Sequence, residues 1–599
     1  MARIEPNLEL GVIGNCEVAA LVDERATMVW ACLPRLDGDP VFNALLGEDT
    51  GEDASGVFGI DLQGLAGTTQ RYQRNTAILE TVLHDANGNA LRVVDHCPRF
   101  RARGRMFRPM MFVRTIEPLA GRPVVNIRLR PTFDYGATEP QVERGSHHLC
   151  FRGNAFTFRV TTNASLSAIM DRPWSVVDRP LAFLVGPDQT IEESPLTLAT
   201  RFLDETRDYW EEWVRSLAIP FEWQEAVIRA AISLKLCTYE DTGAVLAALT
   251  TSLPESPGSG RNWDYRYCWL RDSYFVIQAL NRLGATRTME GYLHFIDQVA
   301  ASCCDGDLQP LFSVAAEPEV PERVAPALAG YRGMGPVRVG NHAYLQKQHD
   351  VYGAVVLASA HSFFDQRMAT PGDEVLYRRL ERFGTRAVEV FDQPDAGPWE
   401  FRGFAQVHTF PAAMCWAGCD RLARIGRKLG LHERARHWQQ HADTLREQVL
   451  SRAWNAERSA FTSAFGGADL DATALLLPEL GIVDARDPRF AATLSAVERE
   501  LKDGDWFYRY RHHDDFGHPA TAFTTCAFWY VNALAAAGRR EEAREHFDRL
   551  LSRRTRLGQL SEDIAPSTGE LWGNFPQTYS LVGIINSAIR LSRSWEDAL

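Results

Sequence analysis

The stretch AAMCWAGCDRLARIGRKLG, residues 412–430, followed by LHERARHWQQHADTLREQVL, residues 431–450, decides the fold of this 599-residue chain. The first segment is almost wholly apolar and ends at Gly430, a normal helix terminator, whereas the second is charged and amphipathic. The same pairing recurs in FTTCAFWYVNALAAAG, residues 523–538, and REEAREHFDRLLSR, residues 540–553. A buried helix followed by a half-solvated helix predicts concentric inner and outer rings.

About six such pairs fit between residue 221 and residue 599, which predicts an all-α (α/α)6 barrel over 221–599. A helical solenoid would also pair its helices. Its repeats would have a fixed length of roughly 34 or 40 residues, and these segments have no such period. We therefore favour the closed barrel.

The first 195 residues are typical of an antiparallel β-sandwich. Their apolar segments are short, rich in Val, Phe and Thr, and separated by Gly, Pro, Asn and Asp. The segments are AALVDERATMVWACL, LRVVDHC, MMFVRTIEPL, VVNIRLRPTFDYG, AFTFRVTTN and LAFLVG. LTLATRFLDETRDYWEEWVRSL then predicts a helical linker. The sequence thus predicts a sandwich over 1–195, a linker over 196–220 and a barrel over 221–599.

Composition narrows the class of ligand. Hydrophobic residues make up 45% and charged residues 24% of the chain, as in ordinary globular proteins. A net charge of -13 argues against nucleic acid or an anionic membrane as partner, because both require a basic face. A neutral small molecule is favoured. We find no signal peptide and no stretch of membrane-spanning length, so we expect a cytoplasmic protein.

The cysteines do not suggest disulfides or zinc. Six of them lie in apolar segments, where a free thiol behaves as a small hydrophobic group: Cys16, Cys32, Cys237, Cys415, Cys419 and Cys526. The pairs Cys303–Cys304 and Cys415–Cys419 lack the CxxC spacing of a zinc site.

Four loops rich in aromatic and charged residues each precede an apolar helix. They are RNWDYRYCWLRD (261–272), GYRGMGPVRVGNHAYLQKQHDVYG (330–353), GPWEFRG (397–403) and LSEDIAPSTGELWGNFPQ (560–577). In a barrel, all four could open at one end. Aromatic rings beside arginines and aspartates indicate either a buried ion network or a site for a polar ligand.

Two glutamates in these loops are candidates for acid–base chemistry. Glu400 lies between Trp399 and Phe401, and an aromatic wall would disfavour the ionised form, which suits a general acid near neutral pH. Glu562 has Ser561 and Asp563 beside it, and this polar setting predicts a carboxylate that stays ionised. One carboxyl group that donates and one that accepts is the minimum for cleaving a glycosidic bond. Taken singly, each is more simply explained as a solvated loop charge or a helix cap; the aromatic loops weaken that explanation without reversing it.

At this point the chain resembles glycoside hydrolase family 15, the family of glucoamylases, glucodextranases and bacterial trehalases. The resemblance covers nearly the whole chain, and its N-terminal part is similar to the trehalase-like N-terminal domain. The motifs that carry it are RNWDYRYCWLRD, GYRGMGPVRVGN, QKQHDVYG, GPWEFRG, LSEDIAPSTGELWGNFPQ and, at residues 13–42, IGNCEVAALVDERATMVWACLPRLDGDPVF. The resemblance implies a β-sandwich followed by an (α/α)6 barrel, and inverting, exo-acting hydrolysis that releases glucose from a non-reducing α-glucosyl end, without cofactor or metal.

The resemblance also assigns roles to individual residues. Glu400 in PWE matches the general acid, and Glu562 in LSED matches the general base that activates water. Arg271 and Asp272 in WLRD match a pair that binds hydroxyl groups of the terminal sugar, since arginine donates and aspartate accepts hydrogen bonds. Further candidates for substrate contact are the aromatic residues Tyr265, Trp269 and Trp399, whose ring faces suit the C–H surfaces of a pyranose.

The chain departs from the family pattern at two places. Residues Gln406 to Ala412 read QVHTFPA where many bacterial members have a basic stretch, and Ala520 stands where many have a glutamate. Both changes could reshape the leaving-group side. The resemblance to the trehalase-like N-terminal domain and the expected cytoplasmic location make trehalose the leading substrate. The two departures count against it, so α-1,4- or α-1,6-linked gluco-oligosaccharides are the alternative.

Other hypotheses remain open. His512, His513, Asp514, Asp515 and His518 could suggest a metal site, but their spacing matches no known ligand set, and a polar rim loop is preferred. GYRGMGPVRVG lacks the lysine and hydroxyl ending of a phosphate loop. A glucosyl transferase or a catalytically silent sugar-binding protein could use the same fold. The sequence leaves a homo-oligomer open.

Overall fold

A computed structural model describes residues 6–48, 51, 54–171, 173–302 and 306–598. Up to residue 187 the chain is mainly β-strand, and beyond residue 195 it is mainly helix. A mainly β N-terminal part and a mainly helical remainder agree with the prediction from sequence. Cys303 and Cys304 lie outside the described residues.

The N-terminal strands form two antiparallel sheets that share one apolar core. The first sheet has the order β1-β2-β3-β5-β12-β16, with β4 paired to β3, and the second has the order β13-β14-β15-β17-β11-β8-β7-β6; β9 and β10 form a separate hairpin. Inward-facing side chains such as Phe58 of the first sheet and Phe183 of the second meet with ring centroids 5.4 Å apart. The strands are β1 Gly11–Gly14, β2 Ala19–Val22, β3 Met28–Leu33, β4 Asp39–Phe42, β5 Val57–Leu62, β6 Leu65–Tyr72, β7 Leu79–Asp85, β8 Ala90–His96, β9 Phe100–Ala102, β10 Arg105–Phe107, β11 Phe112–Ala120, β12 Val124–Arg130, β13 Gln141–Arg144, β14 His148–Arg152, β15 Thr157–Thr162, β16 Ser175–Val176 and β17 Leu181–Pro187.

Helices make up most of the remaining chain. They are α1 Leu166–Met170, α2 Pro195–Arg215, α3 Gln224–Leu236, α4 Leu270–Arg282, α5 Thr286–Ser302, α6 Asp350–Phe364, α7 Glu374–Val390, α8 Thr409–Lys428, α9 His432–Ala453, α10 Leu477–Leu480, α11 Pro488–Leu501, α12 Thr524–Ala536, α13 Arg540–Leu551, α14 Thr578–Leu591 and α15 Trp595–Ala598. Short 3-10 helices occupy Ala44–Leu46, Tyr331–Gly333, His342–Leu345 and Ala472–Leu476. Two-residue strands in the loops are Thr238–Tyr239, Ala244–Val245, Cys268–Trp269, Leu311–Phe312, Arg323–Val324, Arg338–Val339, Trp454–Asn455, Ala460–Phe461, Lys502–Asp503, Trp506–Phe507, Ala522–Phe523, Asp563–Ile564 and Leu571–Trp572.

The helices pack in two sets whose contacts follow chain order. In the first set, α4 contacts α6, α6 contacts α8, α8 contacts the 3-10 segment at 472–476, that segment contacts α12, α12 contacts α14, and α14 returns to α4. In the second set, α3, α9 and α11 each lie against one member of the first, and α5, α7 and α13 each lie against two neighbouring members. The alternation of apolar and amphipathic segments in the sequence matches this division.

The glycines quoted above sit where two paired helices meet. Helix α8 ends at Lys428 and α9 begins at His432, with Gly430 between them at φ 75°. Helix α12 ends at Ala536 and α13 begins at Arg540, with Gly538 at φ 87°. This left-handed conformation is open to glycine at little cost, so both glycines end their helices as predicted.

Two further expectations can be compared with the fold. The nine cysteines in the described ranges are all buried and unpaired, in agreement with the sequence interpretation. No helix among the described residues combines the length and the apolar character needed to cross a membrane.

Candidate active site

A cavity of about 940 Å³, measured to its open mouth, lies where the loops before α4, α6, α8, α12 and α14 converge. All seven residues singled out from the sequence line it: Tyr265, Trp269, Arg271, Asp272, Trp399, Glu400 and Glu562. They meet because each loop ends at the start of a helix of the inner set, so their polar side chains collect at the same end of that set.

Three N–H donors surround the Glu400 carboxylate. Trp269 Nε1 donates to Glu400 Oε1 over 2.6 Å, and Arg271 Nη2 and Gln348 Nε2 each lie 3.3 Å from the same oxygen. The sequence predicts an aromatic wall at this carboxylate, whereas the contacts that the structure shows there are polar donors from two other loops.

Trp399 and Phe401 contact other parts of the protein instead. Trp399 Nε1 donates to Asp471 Oδ2 over 2.6 Å, and the ring packs against Phe523 at 5.3 Å between centroids. Phe401 stacks on Phe404 at 4.3 Å. These contacts fix the loop on both sides of Glu400 while leaving its carboxylate in the cavity.

The backbone at Glu400 adopts an unusual conformation. Its φ of 62° lies in the left-handed region, which costs a residue with a side chain about 1–2 kcal/mol. Asp395 anchors the loop, because its carboxylate accepts hydrogen bonds from the backbone N–H groups of Gly397 and His349 and contacts His408 Nδ1 at 2.8 Å. A strained residue held by such a network is typical of functional sites.

Arg271 is buried and held by protein groups. Its Nη1 donates to Gln348 Oε1 over 2.7 Å and to Asp350 Oδ2 over 2.9 Å, while Nη2 faces Glu400. Only 5% of Arg271 is exposed. Asp350 was not singled out from the sequence, although it stands in the quoted motif QKQHDVYG, where an aspartate opening an apolar helix was the available signal.

Asp272 lies beside Arg271 but is less tightly engaged. The closest approach of the pair is 3.8 Å, from Arg271 Nε to Asp272 Oδ1. Burial raises the pKa of Asp272 to about 7, the positive charge of Arg271 opposes the rise, and the negative charges of Glu400 and Asp350 add to it. Asp272 is thus a buried carboxyl group with capacity left for a ligand.

Only 1% of Glu562 is exposed, and its surroundings differ from those predicted from the sequence. Burial raises its pKa, the negative charge of Glu255 raises it further, and Tyr265 and Arg509 oppose the rise. The prediction that Glu562 stays ionised because of its polar neighbours is therefore wrong. Ser561 turns its hydroxyl to the Asp563 carbonyl oxygen at 2.8 Å, and the charge that acts on Glu562 comes from a residue some 300 positions earlier.

The Glu562 carboxylate has little direct support from the protein. Neither oxygen accepts a well-aligned hydrogen bond from any described residue, although the Tyr265 hydroxyl is near enough to interact with it. A buried polar group without a partner is costly, which indicates that a ligand or water completes the site. Tyr265 itself packs edge-on against Trp269, with ring centroids 5.3 Å apart.

Sequence reasoning missed a second set of charged residues in the cavity. Glu255 pairs with Arg509 and accepts a hydrogen bond from Trp263 Nε1 over 3.1 Å. Arg261 binds both oxygens of Asp514, at 2.7 and 2.6 Å. Arg261 opens the quoted motif RNWDYRYCWLRD, whereas Glu255 and Arg509 are separated by more than 250 residues and had no local signal.

The two aspartates considered for metal binding pair with other groups of the protein. Asp514 pairs with Arg261 and also accepts a hydrogen bond from the Tyr510 hydroxyl, and Asp515 accepts one from the Arg402 backbone N–H. Throughout the part of the chain that the structure describes, no group of three or more His, Cys, Asp or Glu side chains could hold a metal ion.

The two departures from the family pattern lie mostly outside the cavity. Of the segment Gln406 to Ala412, only Phe410 lines it. His408 is buried and contacts Asp395, and Ala520 is exposed, with its carbonyl oxygen 3.4 Å from the Tyr508 hydroxyl. Of the residues in the two departures, only Phe410 is therefore placed to reshape the leaving-group side.

The N-terminal sheets contact one of the site loops through Arg266. This wholly buried side chain pairs with Asp264 at 2.7 Å, donates to the Gly38 carbonyl oxygen over 2.7 Å and to the Tyr135 hydroxyl over 2.9 Å. Gly38 and Tyr135 belong to the N-terminal part, so both parts of the chain fix the loop that carries Trp269 and Arg271.

Comparison with known proteins gives consistent matches. Residues 223–589 match the family model "Glycosyl hydrolases family 15", and residues 3–164 match "Trehalase-like, N-terminal". The chain is similar to a trehalase of Thermoplasma volcanium, 31% identical over 98% of this chain and 93% of that protein, and to a trehalase of Mycobacterium tuberculosis, 31% identical over 99% and 90%. Its fold resembles the crystal structure of a bacterial glucoamylase complexed with acarbose, with a TM-score of 0.67, 13% identity and coverage of 99% of this chain and 94% of that chain.

Proposed function

Because the chain belongs to glycosyl hydrolases family 15 and is therefore a glycoside hydrolase, we propose that it hydrolyses trehalose to glucose with inversion at the reacting anomeric carbon. The observation that carries this proposal is that Glu400 and Glu562 enter one cavity from different loops with different surroundings. Trehalose is favoured because the curated relatives that match nearly the full length are trehalases.

We further propose that the helical part is an (α/α)6 barrel. The contacts of the inner set, which return from α14 to α4, support a closed ring, and the second set supplies the outer layer. With a sandwich over 1–195 and a linker over 196–220, the barrel would occupy 221–599. We expect the enzyme to work in the cytoplasm.

In the proposed mechanism, Glu400 protonates the glycosidic oxygen. Trp269, Arg271 and Gln348 hold its carboxyl group in place before the transfer and donate hydrogen bonds to the carboxylate that remains afterwards. These donors are fixed in advance, so little reorganisation is needed as negative charge develops.

Glu562 would act as the general base that removes a proton from the attacking water. Its two oxygens lack well-aligned protein donors, so they are free to accept a hydrogen bond from that water. A raised pKa makes the ionised form a stronger base, which favours proton removal once Glu562 has lost its own proton. Water and sugar must fit between the two carboxyl groups, which requires a separation of roughly 6.5–9.5 Å.

Asp272 would bind the terminal glucose. Its carboxylate is buried and lies no closer than 3.8 Å to Arg271, so it keeps capacity for sugar hydroxyls, and Tyr265, Trp269 and Trp399 would supply the apolar walls. Arg271 would place its guanidinium beside the same sugar while remaining bound to Asp350 and Gln348.

The product anomers test both substrate and stereochemistry. Trehalose joins two α-anomeric carbons, so inversion at one of them releases β-glucose and α-glucose in equal amounts, whereas retention releases α-glucose alone. We expect the 1:1 mixture in NMR spectra taken before mutarotation, with oxygen from H2¹⁸O found only in the β-anomer. Maltose and isomaltose serve as comparison substrates. Release of glucose from these but not from trehalose, at high enzyme concentration, would contradict the trehalase assignment while leaving the family membership intact.

Replacing Asp272 with asparagine should lower kcat/KM by roughly 10- to 150-fold, which corresponds to the loss of a charge-assisted hydrogen bond of about 1.5–3 kcal/mol. Asparagine keeps the size of the side chain, so circular dichroism should be unchanged. Because the terminal glucose is common to all substrates, the loss should be the same for trehalose and maltose. A loss confined to one disaccharide would place Asp272 on the leaving-group side.

A further inference from the structure

Three loops meet at Arg402, at the mouth of the cavity. Arg402 Nη2 and Nη1 donate to the two carboxylate oxygens of Glu322 over 2.8 and 3.3 Å, and its backbone N–H donates to Asp515 Oδ2 over 2.6 Å. Glu322 precedes the short strand Arg323–Val324, and Asp515 belongs to the loop before α12. We call the Arg402–Glu322 pair the rim bridge.

The rim bridge is well supported from the Glu322 side. Glu322 also accepts hydrogen bonds from Arg338 Nη1 over 3.0 Å and from the His342 backbone N–H over 3.1 Å, and 13% of its side chain is exposed. Burial opposes its ionisation, but the hydrogen bonds from Arg402 and His342 lower its pKa below the usual value. A bidentate, charge-assisted pair of this kind holds a fixed geometry.

Arg402 has few donors left for a ligand. Both of its terminal nitrogens bind Glu322, and its guanidinium lies 4.2 Å from the centroid of the Trp263 ring. Trp263 in turn packs edge-on against Phe516 at 5.3 Å. The Arg402 side chain is therefore a fixed part of the cavity wall, and few of its N–H groups remain to bind a ligand.

The position of the bridge relative to Glu400 determines which end of the substrate it faces. Arg402 follows Glu400 by two residues, and both line the cavity. A general acid must reach the glycosidic oxygen, so the departing sugar lies on the side of Glu400. The Asp272 side chain is 11% exposed, whereas the Arg402 side chain is 26% exposed. The departing sugar is thus the part of the substrate nearest the mouth.

We propose that the rim bridge closes the leaving-group end of the cavity, so that a single departing sugar unit fits inside it and longer α-glucan chains are excluded. This inference rests on the proposed function and specifies its substrate class as disaccharides. It concerns chain length alone, so it can be tested separately from the preference for trehalose.

The test compares maltose, maltotriose and maltotetraose, which share one linkage and differ in the number of units beyond the departing sugar. In the wild type, kcat/KM should fall from maltose to maltotriose. In Arg402→Ala, kcat/KM for maltotriose divided by kcat/KM for maltose should rise by about tenfold or more. A steric wall provides discrimination of this size. Glu322→Gln should shift the ratio in the same direction by a smaller factor.

Arg544→Ala is the matched control. Arg544, on helix α13, likewise binds both carboxylate oxygens of a glutamate, Glu222, over 3.0 and 2.6 Å and lies 4.7 Å from the Trp223 ring, but it does not line the cavity. We expect its maltotriose-to-maltose ratio to stay within about twofold of the wild type, below the roughly tenfold discrimination that marks a change in the wall itself. Equilibrium binding of the same sugars by calorimetry, in Glu400→Gln with and without Arg402→Ala, reports the same ratio without hydrolysis.

An unchanged ratio in Arg402→Ala would overturn the inference. An equal loss of kcat/KM for all substrates would also overturn it, because that pattern indicates that Arg402 binds sugar directly. A wild-type enzyme that neither cleaves nor binds the maltose series would overturn it as well. If trehalose is not cleaved but maltose is, the trehalase proposal fails and the length ratio still decides the role of the bridge.

Discussion

Replacing Glu400 with glutamine is expected to lower kcat for trehalose by about a hundredfold or more. Glutamine keeps the length of the side chain and its contact with Trp269 Nε1, but it has no proton of suitable acidity for the departing oxygen. The effect should fall on kcat rather than on KM, because the proton is needed in the transition state and not for binding. Stopped glucose assays under saturating trehalose measure it directly.

A substrate that needs no acid separates this role from a structural one. Fluoride leaves from α-glucosyl fluoride without protonation, so Glu400→Gln should hydrolyse this compound at close to the wild-type rate. Exposed Glu389→Gln on α7 is a control for the substitution itself. Glu400 is not the general acid if the folded variant retains normal turnover of trehalose. The same conclusion follows if its hydrolysis of α-glucosyl fluoride falls as much as its hydrolysis of trehalose.

The gathering of the seven candidate residues could be predicted because the information is local. Five candidates stand in loops that lead into apolar helices, and Arg271 and Asp272 stand in the first turn of α4, so a set of packed inner helices brings them all to one end. Helix boundaries at Gly430 and Gly538 were likewise set by neighbouring residues. Patterns that depend on a few adjacent positions are visible in a single sequence.

The electrostatics of the site could not be predicted in the same way. Trp399 and Phe401 flank Glu400 along the chain, but the donors on its carboxylate come from positions 269, 271 and 348. Glu562 is governed by burial and by Glu255 rather than by Ser561. Charge and desolvation act through space, so neighbours in sequence are a poor guide to them.

The contribution of the N-terminal part to the site was also hidden in the sequence. Arg266 was one of several charges in RNWDYRYCWLRD, and nothing local distinguished it from Arg271. In the structure Arg266 is bound by Gly38 and Tyr135 of the N-terminal part, whereas Arg271 faces the cavity. Some charges of the motif thus form an ion network that fixes the loop, and others face the cavity. The two interpretations drawn from the sequence, a buried ion network and a site for a polar ligand, both apply to this motif.

Replacing Glu562 with glutamine should lower kcat by about a hundredfold or more for trehalose and for α-glucosyl fluoride alike. Both reactions need an activated water, whereas only the first needs a proton on the leaving group. The paired results therefore distinguish the base from the acid. Glu570→Gln, on the same loop and paired with Arg332 near the surface, is the matched control and should keep near-normal turnover. A folded Glu562→Gln enzyme with normal turnover of either compound would contradict the assignment.

The pH dependence gives an independent test of Glu562. A general base acts only when ionised, so kcat/KM must fall as the pH falls through its pKa in the free enzyme. Burial and the charge of Glu255 raise that pKa, so the acid-side decline should lie at a higher pH than an ordinary glutamate would give. Asp272, with a pKa of about 7, titrates in the same direction, and measuring the profile in Asp272→Asn removes its contribution. A decline that remains in Asp272→Asn and lies above the usual range of glutamate is the result expected for Glu562 and the adjacent Asp563, whose pKa burial and Glu255 also raise. A profile that stays flat there down to the usual glutamate range would show that another group activates the water.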